Sequence, residues 1–326
     1  MSTSALLLIA LASVVLLLLL VIKAKAHPFV ALLIVSLLVA FATGIPADKI
    51  ITTIEKGMGG LLGHIASIII LGSMLGVLIE ISGGAESLAK TLTGVLGSKR
   101  TIAALTIVAF ILGTPVFFEV GFIIIIPLIY GFSKVAHMSP LKFGLPMAGV
   151  MLTVHVALPT HPGAAAAAGI LHSDVGWLML AGIGVSVVVG IVGYFVARSI
   201  NQRHYHLSIN VLEQQQTAEV PDLSVNAQQT RLAPPNALVI GGLIVVPIML
   251  IVSGTLCQAL LLPESAVRQL MTVIGTPPVA LLISLGLASW TLGIRRGMNL
   301  KKLGEVTGSA IPSSADVILV AGAGGA

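Results

Sequence analysis

The residues with the clearest chemical potential lie in the long apolar run 102–133. Its only carboxylate, Glu119, follows a break formed by Gly113, Thr114 and Pro115. A carboxylate in the hydrocarbon region of a bilayer is costly, so Glu119 is a candidate for binding or for carrying a proton. Thr114 lies where a half-helix would present backbone N–H groups to an anion. The structural alternative is that Glu119 accepts a hydrogen bond that ties the break to a neighbouring helix.

A second set of candidates lies in the segment 155–163, where prolines at positions 159 and 162 prevent a continuous helix. The residues at this predicted break are Thr160, His161 and Gly163. His161 could bind an anionic substrate or relay a proton. Alternatively, His161 is a neutral side chain that hydrogen-bonds to the backbone. For His155 we favour that structural alternative.

The elements that would position these residues are apolar segments separated by short polar breaks. They are predicted at about 4–22, 28–46, 58–81, 102–133, 143–171, 176–198, 236–262, 268–294 and 303–326. The run 102–133 is too long for one crossing of about 20 residues and too short for two with a turn. Basic residues flank both its ends, so both ends are predicted to be cytoplasmic. We interpret 102–133 as a re-entrant hairpin and 143–171 as a broken span, an arrangement typical of transport sites.

Composition sets the protein class. The chain is 56% hydrophobic and 9% charged, with a mean hydropathy of +1.08, whereas soluble domains are about a quarter charged. The net charge of +5 is explained by basic cytoplasmic loops. The sequence contains no basic run interleaved with aromatic residues, so nothing in it indicates a nucleic-acid partner. Cys257 is the single cysteine, and no metal-ligand set or cofactor motif is present in the sequence. We therefore predict a multi-pass membrane protein without a metal or cofactor.

Two related halves are predicted, residues 1–198 and 236–326, joined by a polar cytoplasmic linker at 199–235. The segment 28–34 resembles 277–283 at a shift of 249 residues, and Gly44-Ile45 falls on Gly293-Ile294 at the same shift. The two copies have opposite predicted orientations, as in transporters built from inverted repeats. The second copy ends at Ala326 in the equivalent of the third segment, so the second repeat is predicted to be incomplete.

Together these motifs resemble the gluconate permease family of proton-coupled sugar-acid symporters, over essentially the whole chain. The resemblance is carried by Lys25-Ala26-His27-Pro28-Phe29, by Gly57 to Gly63, by Phe118-Glu119-Val120-Gly121-Phe122, by Pro159-Thr160-His161-Pro162-Gly163 and by Ala321-Gly322-Ala323-Gly324-Gly325-Ala326. The resemblance implies import of gluconate or a related sugar acid together with protons, through the bacterial inner membrane. It also implies a homodimer in which each subunit has a scaffold and a moving domain. Many family members have proline at the position of Thr160, and they continue beyond the segment that ends at Ala326.

The prediction is thus an all-α polytopic inverted-repeat transporter that acts as a secondary sugar-acid:proton symporter, inactive as residues 1–326 alone. Its partners would be a sugar-acid anion, protons and the lipid bilayer. The predicted substrate-binding residues are Thr114, Glu119, Thr160, His161 and Gly163, with Glu119 and His161 coupling transport to protons. The alternatives are a channel-like or structural membrane subunit and an intramembrane enzyme. An enzyme would need a nucleophile–base pair or a His-Glu-x-x-His metal motif, and the sequence contains neither.

Overall fold

A computed structural model describes residues 1–203 except 117, residues 205, 208, 211, 213 and 216, and residues 234–326. For residues 98, 119, 120, 123, 124 and 313 it describes the backbone alone. Most of the predicted linker 199–235 therefore lies outside the described residues. The division into residues 1–198, 199–235 and 236–326 stays a prediction.

All regular structure in the described residues is helical. The helices are α1 (Thr3–Leu18, continued by a π-helical turn at Leu19–Lys23), α2 (Pro28–Ala42), α3 (Ala47–Ile81), α4 (Gly84–Leu96), α5 (Thr101–Gly113), α6 (Phe118–Val135), α7 (Leu141–Ala157), α8 (Pro162–Ile170), α9 (Val175–Ile200), α10 (Ala237–Leu260), α11 (Ala266–Ile274), α12 (Pro277–Ala288, continued by short turns to Arg296), α13 (Leu300–Gly308) and α14 (Ala310–Gly324).

Six helical segments of the described chain are long and apolar enough to cross a membrane. They are Thr3–Lys23, Ala47–Ile81, Leu141–Ile170, Val175–Ile200, Ala237–Leu260 and Pro277–Arg296. A bent pair, Leu300–Pro312 and Ser314–Gly324, would make a seventh with an angle of 42°. The predicted all-α polytopic membrane fold is confirmed.

Helix α3 is the centre of the packing, since α8, α12 and α14 all contact it. Ile65, Ile69 and Leu75 of α3 are completely buried. By contrast, α1 has no buried residue and packs mainly against α2. A membrane helix without buried side chains presents almost all of its surface to lipid, so α1 lies at the periphery.

Two elements differ from the sequence prediction. Helix α3 begins at Ala47 rather than near residue 58, because its first three turns carry charged residues that lower hydropathy without preventing a helix. Helix α4 lies between the predicted segments 58–81 and 102–133, where no apolar segment is predicted. It is amphipathic and buries Leu88 and Ala89 on one face. Its polar face lowers its mean hydropathy, so a search for apolar spans does not find it.

The contact between α3 and α14 depends on small residues. A Cβ atom at Gly57 would collide with the backbone carbonyl of Gly325, and one at Gly322 would lie 2.7 Å from a methyl of Leu62. Ser314 of α14 also donates a hydrogen bond to the hydroxyl of Ser73 over 2.8 Å. Close backbone approach through glycines is typical of packed membrane helices.

Helix α9 is fixed at its start by Asp174, whose Oδ1 accepts a hydrogen bond from the backbone N–H of Trp177 over 2.9 Å. The hydroxyl of Thr255 on α10 donates to the same oxygen over 2.9 Å. One carboxylate therefore caps α9 and ties it to α10.

Candidate functional site

Both predicted helix breaks occur in the structure. Helix α5 ends at Gly113 and α6 begins at Phe118, while α7 ends at Ala157 and α8 begins at Pro162. Proline has no backbone N–H and its ring clashes with the preceding turn, which explains why the chain leaves the helical path at both breaks. The two breaks lie against each other, although they are separated by more than forty residues in sequence.

Two side chains of the α7–α8 break bind the end of α5. Thr160 Oγ1 donates to the carbonyl of Thr114 over 2.9 Å, and His161 Nε2 donates to the carbonyl of Gly113 over 2.9 Å. The last carbonyls of any helix lack partners within that helix. Lipid cannot supply such partners, so at a break inside a membrane protein other residues must do so.

His155 performs the corresponding role at the start of α6. Its Nδ1 accepts a hydrogen bond from the backbone N–H of Phe118 over 3.3 Å. Nδ1 can accept only when it carries no proton, so His155 is neutral in this arrangement, with its proton on Nε2. The structural role that we favoured for His155 is confirmed. Its ring lies beside that of His161, with centroids 4.6 Å apart and planes inclined at 43°.

The tip between α5 and α6 is held on its other side by α3. A Cβ atom at Gly72 would lie 3.4 Å from the carbonyl oxygen of Pro115, and one at Gly76 would lie 2.9 Å from Cγ2 of Val116. These glycines are four residues apart and so share one face of the helix. They form a groove in which Pro115 and Val116 are buried. Gly72 and Gly76 form a Gly-x-x-x-Gly pattern, which is a sequence signal of close helix packing and could have located this groove.

The ends of the α5–α6 segment also lie together. Lys99 and Arg100, just before α5, line the same cavity as His137 and Met138, just after α6. The segment 102–133 therefore enters and leaves at one end of the fold, which supports the hairpin. Its position relative to a bilayer stays a prediction.

The structure assembles part of the predicted set of site residues. Thr114, Thr160 and His161 are brought together and are buried, with His161 completely inaccessible to solvent. Gly163 lies in the first turn of α8 and is exposed, and a Cβ atom there would have no neighbour within 4 Å. Glu119 lies in the first turn of α6, and its side chain is outside the part of the chain that the structure describes.

Sequence reasoning missed one acidic candidate. A second carboxylate lies inside a predicted apolar segment, because Asp316 falls in the middle of the segment 303–326. In the structure Asp316 belongs to α14 and is exposed. The signal that could have found it is the same one that singled out Glu119, a charge inside an apolar segment.

Comparison with known proteins identifies the family. The family described as GntP family permease matches residues 5–326. The chain belongs to the GntP permease family. This confirms the resemblance noted from the sequence, and it indicates a transporter rather than an enzyme.

The relatives of this GntP permease chain are bacterial transport proteins. "Inner membrane permease YgbN" of Escherichia coli (strain K12) is 56% identical over 325 residues, which cover 100% of this chain and 72% of the relative. A "Gluconate permease" of Zymomonas mobilis is 34% identical over 98% of this chain and 69% of the relative. The "High-affinity gluconate transporter" of E. coli is 31% identical over 98% and 70%. No solved structure matches the chain. These relatives and the apolar helices of the chain together show that it is a multi-pass inner-membrane protein.

Proposed function

We propose that this GntP permease chain serves the uptake of gluconate or a related sugar acid in symport with protons. Several relatives are named for gluconate, and one, at 31% identity, is named an L-idonate transporter. The observation that carries the proposal of a site is the contact between the two helix breaks, where Thr114, Thr160 and His161 meet. In transporters, discontinuous helices are typical of substrate sites. A homodimer remains part of the proposal.

The start of α8 suits the carboxylate of a sugar acid. A helix N-terminus carries a partial positive charge and free N–H groups, so it attracts anions. The space beside Gly163 is open, which gives a carboxylate room to approach this N-terminus. Thr160 and His161 would then supply a hydroxyl and a ring nitrogen to the sugar. In the conformation described, both side chains are engaged by α5, so substrate binding would require them to exchange partners.

The membrane potential requires an accompanying cation, and we propose that this cation is a proton. An anion entering a negative-inside cell moves against about 2.3 kcal/mol per charge per 100 mV, so uphill uptake needs at least one accompanying cation. We propose Glu119 as the proton carrier, because it is the carboxylate closest in sequence to the hairpin tip. His161 is the second candidate for coupling. Neither assignment uses Asp316, which lies on α14.

Uptake of labelled gluconate tests the proposal. Two forms are compared in cells without their own permeases: residues 1–326, and the same residues followed by the part of YgbN that the alignment leaves uncovered. The sequence-based expectation is uptake by the second form only, and robust uptake by the first would refute the expected inactivity. A flux that neither saturates nor depends on pH would indicate a channel instead.

The roles of Glu119 and His161 are tested in the form that transports. Glu119→Gln should abolish uphill accumulation yet leave exchange of labelled for unlabelled substrate, because exchange needs no net movement of protons. His161→Ala should weaken substrate binding itself. The control is Glu264→Gln, which removes an exposed loop carboxylate and should change neither process. Proton-driven accumulation with normal pH dependence in Glu119→Gln would overturn the assignment.

A further inference from the structure

A basic cavity lies where the two predicted cytoplasmic ends of the segment 102–133 meet the start of the predicted cytoplasmic linker, beside the ends of α5, α6, α7 and α9. Its volume is about 710 Å³. Among the described residues, five lysine and arginine side chains line it: Lys99, Arg100, Lys142, Arg198 and Arg203. This cavity is separate from the contact between the helix breaks, since none of the residues of that contact lines it.

The positive charge of the cavity is not neutralised by the part of the chain that the structure describes. None of the described residues that line the cavity is acidic. Within the same described residues, none of the five basic side chains takes part in a salt bridge or a side-chain hydrogen bond. Like charges gathered in a concave site raise the local positive potential and favour an anion there. Helices α5 and α7 begin beside the cavity while α6 and α9 end there, so their dipoles largely offset one another and the basic side chains set the sign of the potential.

One wall of the cavity continues into an apolar surface. Tyr194 of α9 lines the cavity and packs edge-on against Phe195, with ring centroids 5.5 Å apart. Phe195, Val192 and Val188 are spaced along one face of α9 and are 60%, 57% and 62% exposed. Tyrosine at the end of an apolar helix is typical of the membrane–water interface. An anionic headgroup in the cavity would thus have its acyl chains alongside an exposed apolar face.

We propose that this cavity binds a phosphate group, supplied either by an anionic phospholipid headgroup or by soluble phosphate. Three of the five cations are arginines, whose planar guanidinium groups donate paired hydrogen bonds to phosphate oxygens. Basic pockets between membrane helices on the cytoplasmic side are suited to phospholipid headgroups. The apolar face of α9 favours the phospholipid as the source.

The test uses the purified chain 1–326 in a neutral detergent and measures its affinity for short-chain phosphatidylglycerol and for phosphatidylcholine of the same chain length. Phosphatidylglycerol should bind, with an affinity that falls as salt rises, and phosphatidylcholine should bind much more weakly. Inorganic phosphate and gluconate are then added as competitors. Competition by inorganic phosphate at similar concentrations identifies soluble phosphate as the ligand, and its absence identifies the lipid.

The variant Arg100→Gln with Arg198→Gln removes two charges from the cavity. Binding should weaken about thirty-fold, since each basic side chain near an anionic lipid contributes a factor of about five. The matched control, Lys301→Gln with Lys302→Gln, removes the same charge from exposed positions outside the cavity and should bind as the wild type does. If the arginine variant does not fold, Lys99→Gln with Lys142→Gln takes its place.

Three results would overturn the proposal. Equal affinity of the wild-type chain for both lipids would show that the headgroup charge is not recognised. Equal loss in the cavity variant and in the lysine control would show that only net charge matters. Displacement of phosphatidylglycerol by gluconate but not by phosphate would show that the cavity selects carboxylates.

Discussion

The groove on α3 that receives the hairpin tip makes a sharp prediction about Gly76. Replacing Gly76 by alanine places a Cβ atom 2.9 Å from Cγ2 and 3.3 Å from Cγ1 of Val116. Valine is stiff about χ1, so these methyl groups cannot turn away easily. Either the tip or α3 must then shift by a few tenths of an ångström.

The size of the effect follows from two opposing terms. Inserting a methyl group into a packed interior costs about 1–3 kcal/mol, while replacing glycine by alanine in a helix gains about 1 kcal/mol. The net loss of unfolding free energy for Gly76→Ala should therefore be about 0–2 kcal/mol. Gly60→Ala on the same helix is the control, because its Cβ atom would have no neighbour within 4 Å and only the favourable term applies. The two variants should thus differ by the steric term alone.

A double-mutant cycle isolates the contact. Val116→Ala removes both methyl groups and leaves its own Cβ atom 3.5 Å from the new one, an ordinary van der Waals distance. In this background Gly76→Ala should no longer be destabilising, so the two changes should be non-additive by the steric term of about 1–3 kcal/mol. Reversible unfolding in mixed micelles measures each corner of the cycle. Additive effects, or a Gly76→Ala variant as stable as Gly60→Ala, would refute the packing of the tip against α3.

Two further predictions concern topology and the α9 cap. In a Cys257→Ser background, cysteines introduced at Ser98 and Ser139 should both resist a reagent applied from outside, because both ends of the hairpin are predicted to be cytoplasmic; labelling at only one would contradict the hairpin. Asp174→Ala should lower the free energy of unfolding by about 1–2 kcal/mol, because it removes the cap of α9 and a hydrogen-bond acceptor for α10, whereas Asp174→Asn should lose less. An unchanged unfolding midpoint for Asp174→Ala would rule out the capping role.

The sequence was sufficient to locate the helix breaks but not to join them. Prolines at positions 115, 159 and 162 predicted the two breaks, although a single proline does not always end a helix, since Pro127 and Pro146 lie inside α6 and α7. Their contact depends on hydrogen bonds between residues 46 and 48 positions apart. No local pattern encodes such pairs. A structural role for His155 could be expected, because a buried polar ring needs a hydrogen-bond partner. The sequence could not show that this partner is the backbone N–H of Phe118.

Helices α3 and α4 illustrate that hydropathy does not detect helical segments rich in polar or charged residues. It finds segments that lipid accepts, and the charged first turns of α3 and the polar face of α4 are not such segments. Both are nevertheless helical, because helix formation depends on backbone hydrogen bonds and local propensity rather than on apolarity. Amphipathic periodicity is the appropriate signal for α4, which buries Leu88 and Ala89.

The two hydrogen bonds from Thr160 and His161 to the end of α5 also have a kinetic consequence. Any movement of the hairpin tip relative to the α7–α8 break must release them. Losing both without replacement adds about 2 kcal/mol to the barrier, which slows the movement about thirty-fold. A sugar acid whose hydroxyl oxygens accepted hydrogen bonds from Thr160 and His161 would replace the lost bonds as they break. The empty protein would then stay in the conformation described, and bound substrate would lower the barrier to the movement of the hairpin tip.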